Sequence, residues 1–426
     1  MEQSIVVRPG DLVGRVRVPL SKSLLHRSLI CAAMAGDLSL SDPGEAALSD
    51  DIRTTRECLG SIMSARHEQK LGRIFADSEP IDFSCKESGS TLRFMVPLVA
   101  ALGIPSHIVG EGRLPVRPLG EYMTIFENKG VCMEFPGHDR FLPLLITGQL
   151  QPGIFKVPGN ISSQYISGLL LALPLLADDS EIKLTTPLES EPYVEMTRDV
   201  MRAFGVEADK MSYGYHITGG QTYKRTSIYH SEPDFSQAAF WLTAEYLGHK
   251  ISVLDLPHHS SQGDKEIRTL LQKLKAVAFT AAGDVVPYVE FDVSQTPDIV
   301  PILAVAAAAT HCITRITHAE RLRLKECDRL QATCEALAKL GADIAQTDDG
   351  LIISGKKMVP GKPLFKACEV DSFHDHRMVM AAAIAATRAD GPVCISDYRA
   401  IDKSYPDFFR NFRMAGGIAD ELDVGK

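Results

Sequence analysis

The chain has 426 residues, 45% of them hydrophobic and 23% charged, with a formal net charge of −9. That length exceeds what one core usually serves, so two domains are expected. The acidic balance without a basic stripe excludes a nucleic-acid binder, and the longest apolar runs, residues 168–177 and 299–309, are too short to span a bilayer. A polar start carries no sign of a secretory leader. The nine scattered cysteines include no C-x-x-C pair, which suits reduced thiols in a cytoplasm.

Taken in order, the pattern predicts a strand at 4–7 and an apolar helix at 21–36, then an amphipathic helix at 51–59. A second apolar helix at 88–103 precedes a strand at 106–109 and an amphipathic helix at 119–128. A third apolar helix at 162–177 is followed by a strand at 182–185 and a helix at 193–204. The fourth, at 234–248, leads to a strand at 251–254 and a helix at 264–274. The fifth, at 296–309, leads to strands at 312–316 and 351–353 around a helix at 325–340. The sixth spans 375–391.

The apolar helices start 67, 74, 72, 62 and 79 residues apart. Each opens on Ser, Thr or Asp, the residues whose side chains satisfy free N–H groups at a helix start. Their bodies are apolar nearly all round, so they should be buried, and Pro97 and Pro174 should kink or loosen two of them. The spacing fits a βαβαββ-like unit repeated six times, three to a lobe, although any α/β protein alternates helices and strands. The midpoint falls near residues 230–234, and the N-terminal strand is available to the second half.

The helix starts carry the polar chemistry. A helix N-terminus offers unpaired N–H groups and partial positive charge, and so attracts anions. Ser21, Lys22, Ser23 and Arg27 crowd the first start; Gly89, Ser90 and Arg93 the second; Ser162, Ser163 and Gln164 the third. Lys325, Glu326 and Arg329 are expected to open a helix with Lys325 and Arg329 on one face, and His374, Asp375, His376 and Arg377 open the sixth. Cations at a helix start oppose its dipole, and a pattern that costs local stability points to function. Arg113 and Arg117 fall in a loop, and Lys403 precedes another helix start. Asp298 reads equally as an N-cap or as a buried base. His374 and His376 find no third ligand at metal spacing, and His258 and His259 read as a surface pair, so no metal is expected.

These residues resemble the 5-enolpyruvylshikimate-3-phosphate synthase family over nearly the whole chain. Ser21-Lys22-Ser23 with Arg27 is similar to its S-K-S-x-x-x-R start, and Glu87 to Arg93 resembles its N-A-G-T-x-x-R segment. Arg117-Pro118, Ser162-Ser163-Gln164, Ser190 with Pro192-Tyr193, Pro297-Asp298, Lys325-Glu326 with Asp328-Arg329, Asp375-His376-Arg377, and Lys403 with Pro406-Asp407 complete the series. The resemblance implies a two-lobed inverse α/β barrel of six repeats. One lobe would be residues 1–18 plus 233–426 and the other 19–232, with the active site in the cleft between them.

It also implies carboxyvinyl transfer from phosphoenolpyruvate to the 5-hydroxyl of shikimate 3-phosphate, with no cofactor and no partner beyond these two small molecules. The chain is taken as a monomer. By resemblance, Ser23, Arg27, Ser162, Ser163, Ser190, Tyr193, Asp298 and Lys325 bind shikimate 3-phosphate. Lys22, Gly89, Arg117, Gln164, Arg329, Arg377 and Lys403 bind phosphoenolpyruvate. Two phosphates and two carboxylates must be brought together, which calls for several cations. Asp298 is the candidate base, Glu326 the candidate acid, and Lys22 a proton carrier or charge stabiliser. The sequence departs from the pattern at Leu20, His26, Glu87, Ser90, Phe94 and Arg321. The rival is the UDP-N-acetylglucosamine 1-carboxyvinyltransferase family, which shows Lys-Asn where this chain has Lys22-Ser23, and often a reactive Cys in a Gly-rich loop that is Cys-free here. The other alternative is an inactive anion-binding relative.

Overall fold

The structure, a computed structural model, describes residues 3–42, 48–73, 78–137, 140–280 and 286–422. The chain divides into two compact units, one formed by Met1–Pro19 with Pro233–Lys426 and the other by Leu20–Glu232. Each has its own apolar core. The six apolar helices are α1 (Lys22–Ala35), α2 (Gly89–Leu102), α3 (Ser163–Ala172), α4 (Phe235–Tyr246), α5 (Val300–Ala308) and α6 (His376–Ala386). Burial on all faces explains their lack of a polar stripe: every residue of α5 and of α6 is buried.

Four of these helices each join two parallel strands of a four-stranded sheet, and an antiparallel hairpin completes that sheet. In the unit Leu20–Glu232 the sheets run Ile81–Ser84, Ser106–Val109, Leu144–Gly148, Val131–Glu134, and Ile154–Val157, Ser180–Leu184, Gly214–Ile217, Asp209–Met211. In the other unit one sheet runs Tyr288–Asp292, Ile313–Thr317, Leu351–Ser354, Asp343–Gln346. The last sheet follows the same order, but one hairpin strand comes from the chain start: Ser4–Arg8 lies between Val393–Ile395 and Ile418–Leu422, antiparallel to both. Around α1 and α4 only a parallel strand pair is seen among the described residues, Ser41–Asp42 with Tyr229–His230 and Val13–Val16 with Lys250–Val253. All six helix-bearing units are therefore present, four with complete sheets.

Several elements differ from expectation for local reasons. The helix expected from 325 starts at Arg329, because the Asp328 carboxylate accepts from the N–H groups of Leu330 and Gln331 and so caps it. Pro297 and Pro174 lie in 3₁₀ turns, Pro297–Ile299 before α5 and Leu173–Leu175 after α3. The helix at 119–128 shrinks to Glu121–Ile125, while that at 51–59 extends to Asp50–Lys70.

Pro97 does not break α2, and the reason is specific. Proline removes the N–H that would bond the carbonyl four residues back. That carbonyl belongs to Arg93, and the Tyr122 hydroxyl donates to it at 2.6 Å. Gly168 of α3 lies against the same oxygen: a Cβ there would sit 2.6 Å from Arg93 O and 3.0 Å from Pro97 Cγ. Alanine gains about 1 kcal/mol over glycine in helix propensity, but the clash with a hydrogen-bonded carbonyl should cost about 1–3 kcal/mol. Gly168→Ala is expected to lower the denaturant midpoint; a raised midpoint would show that the two helices can separate freely.

Candidate functional site

In the unit Leu20–Glu232 the site residues gather at helix starts. Ser21 caps α1 by accepting from Leu24 N–H, which leaves Lys22 as its first residue. Lys22 Nζ lies 2.7 Å from Asp51 Oδ2. One turn on, Arg27 is only 3% exposed. Its Nε donates to Thr197 Oγ1 (2.7 Å), Nη1 to Ser23 O (2.7 Å), and Nη2 to Tyr193 O (2.9 Å) and Ser167 Oγ (3.3 Å). All are neutral oxygens, and among the described residues no carboxylate pairs with Arg27. Burial pushes its pKa down to about 10, so the group keeps its charge at neutral pH.

The second start is built the same way. Ser88 caps α2, and Gly89 leaves no room for a side chain: a Cβ would lie 2.8 Å from Arg117 Nη1 and 3.0 Å from Arg93 Nη1. Two guanidinium groups therefore converge on this helix start. Arg93, buried as well, donates to Gln164 Oε1 (3.1 Å) and Pro118 O (2.8 Å) and lies over the Tyr165 ring. Gln164 in turn donates to Ser90 Oγ (2.9 Å), and Ser162 caps α3 through Gln164 N–H. Ser163 is buried beside it. Ser190 holds a left-handed backbone, φ 53°, at the start of Glu191–Ala203, where its carbonyl accepts from Tyr193 N–H (3.1 Å).

The other unit shows the opposite electrostatics. Asp298 is ringed by Arg329 (3.0 Å), Lys325 (3.3 Å) and Arg377 (3.3 Å). Arg329, 2% exposed, also holds Glu326 (2.6 Å) and Asp375 (2.6 Å), and Lys403 reaches Glu326 at 3.9 Å. Burial by itself would raise Asp298, but Arg377, Lys325 and Arg329 outweigh it and hold the carboxyl well below the usual range. Burial lowers Lys325, opposed by Asp298. Arg329 is held above its ordinary value because Asp375, Glu326 and Asp298 overcome its desolvation.

Two expectations are corrected, at Lys325 and at Asp298. Lys325 and Arg329 do not share a helix face, since Lys325 precedes the Asp328 cap; they meet at Asp298 Oδ1 instead. Asp298 is no N-cap, as Thr296 holds that position, and its carboxylate faces cations. Lys403 closes the 3₁₀ turn Tyr398–Lys403, ahead of the helix Phe408–Met414. Of the unexplained departures, Arg321 donates to Ser294 O at 2.6 Å, and the Glu87 carboxylate lies against Gly112. Sequence reasoning missed three acids. Asp51 and Asp375 read as ordinary helix-start residues, yet the first holds Lys22 and the second both caps α6 and clamps Arg329. The third, Asp264, is 2% exposed and bonds the Ser236 hydroxyl.

A family model described as EPSP synthase (3-phosphoshikimate 1-carboxyvinyltransferase) matches residues 6–412. The chain belongs to the EPSP synthase family. It is 39% identical over 450 residues to the 3-phosphoshikimate 1-carboxyvinyltransferase of Clostridium novyi (strain NT), covering 100% of both chains. It is 42% identical over 435 residues to that of Clostridium perfringens (strain 13 / Type A), covering 98% of this chain and 100% of the relative. Among solved structures, EPSP synthase from Acinetobacter baumannii superposes with a TM-score of 0.74 at 22% identity, covering 99% of this chain and 100% of that one. The enolpyruvyl transferase NikO from Streptomyces tendae follows with a TM-score of 0.67 at 16% identity, covering 99% of each. These structures share its fold, the two-lobed inverse α/β barrel. No helix among the described residues is long and apolar enough to cross a membrane.

The pKa of Asp264 is pushed up to about 6 by burial and by the charge of Asp298. A folded-state pKa raised above the unfolded value of about 3.9 stabilises below that value, and the contribution is lost as pH rises through about 6. Asp264→Asn should therefore raise the free energy of unfolding at pH 7.5 by up to about 3 kcal/mol, with the gain shrinking toward pH 4.5. An equal loss of stability at both pH values would contradict this electrostatic reading.

Proposed function

We propose that this chain transfers the carboxyvinyl group of phosphoenolpyruvate to the 5-hydroxyl of shikimate 3-phosphate and releases inorganic phosphate. The observation that carries this reading is the pair of buried guanidinium groups, Arg27 and Arg93, held by neutral oxygens and rings with no carboxylate partner among the described residues. Burying an ion without a counter-ion costs several kcal/mol, and a phosphorylated ligand supplies the missing charge. Family membership names the ligands.

Ser23, Arg27, Ser162, Ser163, Ser190, Tyr193, Asp298 and Lys325 are assigned to shikimate 3-phosphate. Lys22, Gly89, Arg117, Gln164, Arg329, Arg377 and Lys403 are assigned to phosphoenolpyruvate. The serine hydroxyls and the α3 start supply neutral donors for the phosphate, and the paired guanidiniums over Gly89 supply charge. Asp298 takes the proton of the 5-hydroxyl as that oxygen bonds to C2 of phosphoenolpyruvate, while Glu326 protonates the methylene to a methyl group. Loss of a proton from that methyl with departure of phosphate restores the double bond.

The ring of cations keeps Asp298 ionised, as a base must be, but also makes it a weak one. Anionic substrates that draw Arg377, Arg329 and Lys325 toward themselves weaken that field and raise its basicity. Water exclusion on substrate binding strengthens each of these interactions. The enzyme works in the cytoplasm as a monomer on these small molecules.

A phosphate-release assay with phosphoenolpyruvate and each acceptor tests the assignment. Release is expected with shikimate 3-phosphate and none with UDP-N-acetylglucosamine; the reverse pattern would sink it. Glu326→Gln should lower kcat by about 10²–10⁴-fold with shikimate 3-phosphate binding within about threefold of wild type, because it removes a proton carrier and leaves the Arg27 cluster intact. Undiminished turnover would remove Glu326 from the mechanism.

A further inference from the structure

Resting on the assignment of Arg27 to shikimate 3-phosphate, we propose that Phe94 is a positioning residue for Arg27, with His26 holding its ring in place. Phe94 on α2 is 1% exposed, and the Arg27 guanidinium carbon lies 5.2 Å from its ring centroid. The His26 ring meets the Phe94 ring edge-on, with centroids 6.3 Å apart and planes at 79°. His26 is itself fixed by a chain of hydroxyls. Its Nδ1 lies 2.7 Å from Thr55 Oγ1, which is 2.7 Å from Thr91 Oγ1, which donates to Ser88 Oγ at 2.7 Å. The chain ties α1, the helix Asp50–Lys70 and the α2 cap together.

The arrangement answers a specific electrostatic need. Arg27 spends four of its five N–H groups on neutral oxygens and leaves one on Nη1. A carboxylate beside it would neutralise the charge but would then repel an incoming phosphate. The negative face of an aromatic ring attracts the cation without occupying an N–H group and without carrying net charge. The neighbour behind the ring must be uncharged too, and burial lowers the His26 pKa to about 3, so the imidazole is neutral. His26 and Phe94 are also two of the positions at which the sequence departs from the family pattern, and the two rings touch each other.

The test is a double-mutant cycle read as the Kd of shikimate 3-phosphate. Phe94→Leu should raise that Kd about three- to tenfold while KM for phosphoenolpyruvate stays within about twofold, and in an Arg27→Ala background the same substitution should have no further effect. An equal rise in both backgrounds, or none in the first, would overturn the proposal, since packing alone would not depend on Arg27. Phe94→Met places a longer, more adaptable side chain in the same space and carries the same comparison should Phe94→Leu fail to fold. If Arg27→Ala alone leaves the Kd unchanged, the assignment of Arg27 fails and the positioning role fails with it; a rise with Arg27→Ala but none with Phe94→Leu or Phe94→Met overturns only the role of Phe94.

Discussion

A buried guanidinium without a counter-ion is expensive, and among the described residues of the unit Leu20–Glu232 Arg27 and Arg93 are both of this kind. Their hydrogen bonds to carbonyl, hydroxyl and amide oxygens recover part of the lost hydration but none of the charge. Much of the local structure follows from this constraint. Ser21, Ser88 and Ser162 cap the starts of α1, α2 and α3, and Gly89 lets two guanidiniums press onto one helix end. Pro97, Tyr122 and Gly168 then bind α2 to α3 through the carbonyl of Arg93 itself, so the residue carrying the charge is also a packing node. The net charge of −9 makes this concentration of positive charge a local construction against the overall field.

The unit completed by Pro233–Lys426 handles charge in the opposite way. Its cations are knotted with Asp298, Glu326 and Asp375, and Arg329 touches all three acids. Such a knot is a weak source of stability, because desolvation offsets most of the attraction. In the proposed reaction its role is to hold Asp298 and Glu326 at fixed positions among cations whose balance shifts when an anion arrives. The contrast suits the proposed reaction, which must hold phosphorylated ligands firmly and also move protons on them.

What was legible in the sequence was what is encoded locally. Helix caps depend on residues two or three apart, so Ser21, Ser88, Ser162 and Asp375 could be read directly. Buried apolar helices announced themselves by lacking a polar face. The same locality misled at Lys325, where a short spacing suggested one helix face and Asp328 intervened as a cap. Ion-pair partners were invisible: Asp51 lies 29 residues from Lys22, and Asp375 lies 46 from Arg329. That the N-terminal strand was available to the second half could be read, but which strands Ser4–Arg8 would pair with was out of reach, since alternation identifies a strand and says nothing of its neighbours.

The carboxylate-poor arginine cluster is proposed to hold a phosphorylated acceptor, and a crystal structure with shikimate 3-phosphate bound would show whether it does. Ser23, Arg27, Ser162 and Ser163 are all expected to contact that one ligand, with the Asp298 carboxylate at its 5-hydroxyl. Ligand density with those four side chains bare, or with the 5-hydroxyl turned away from Asp298, would contradict it.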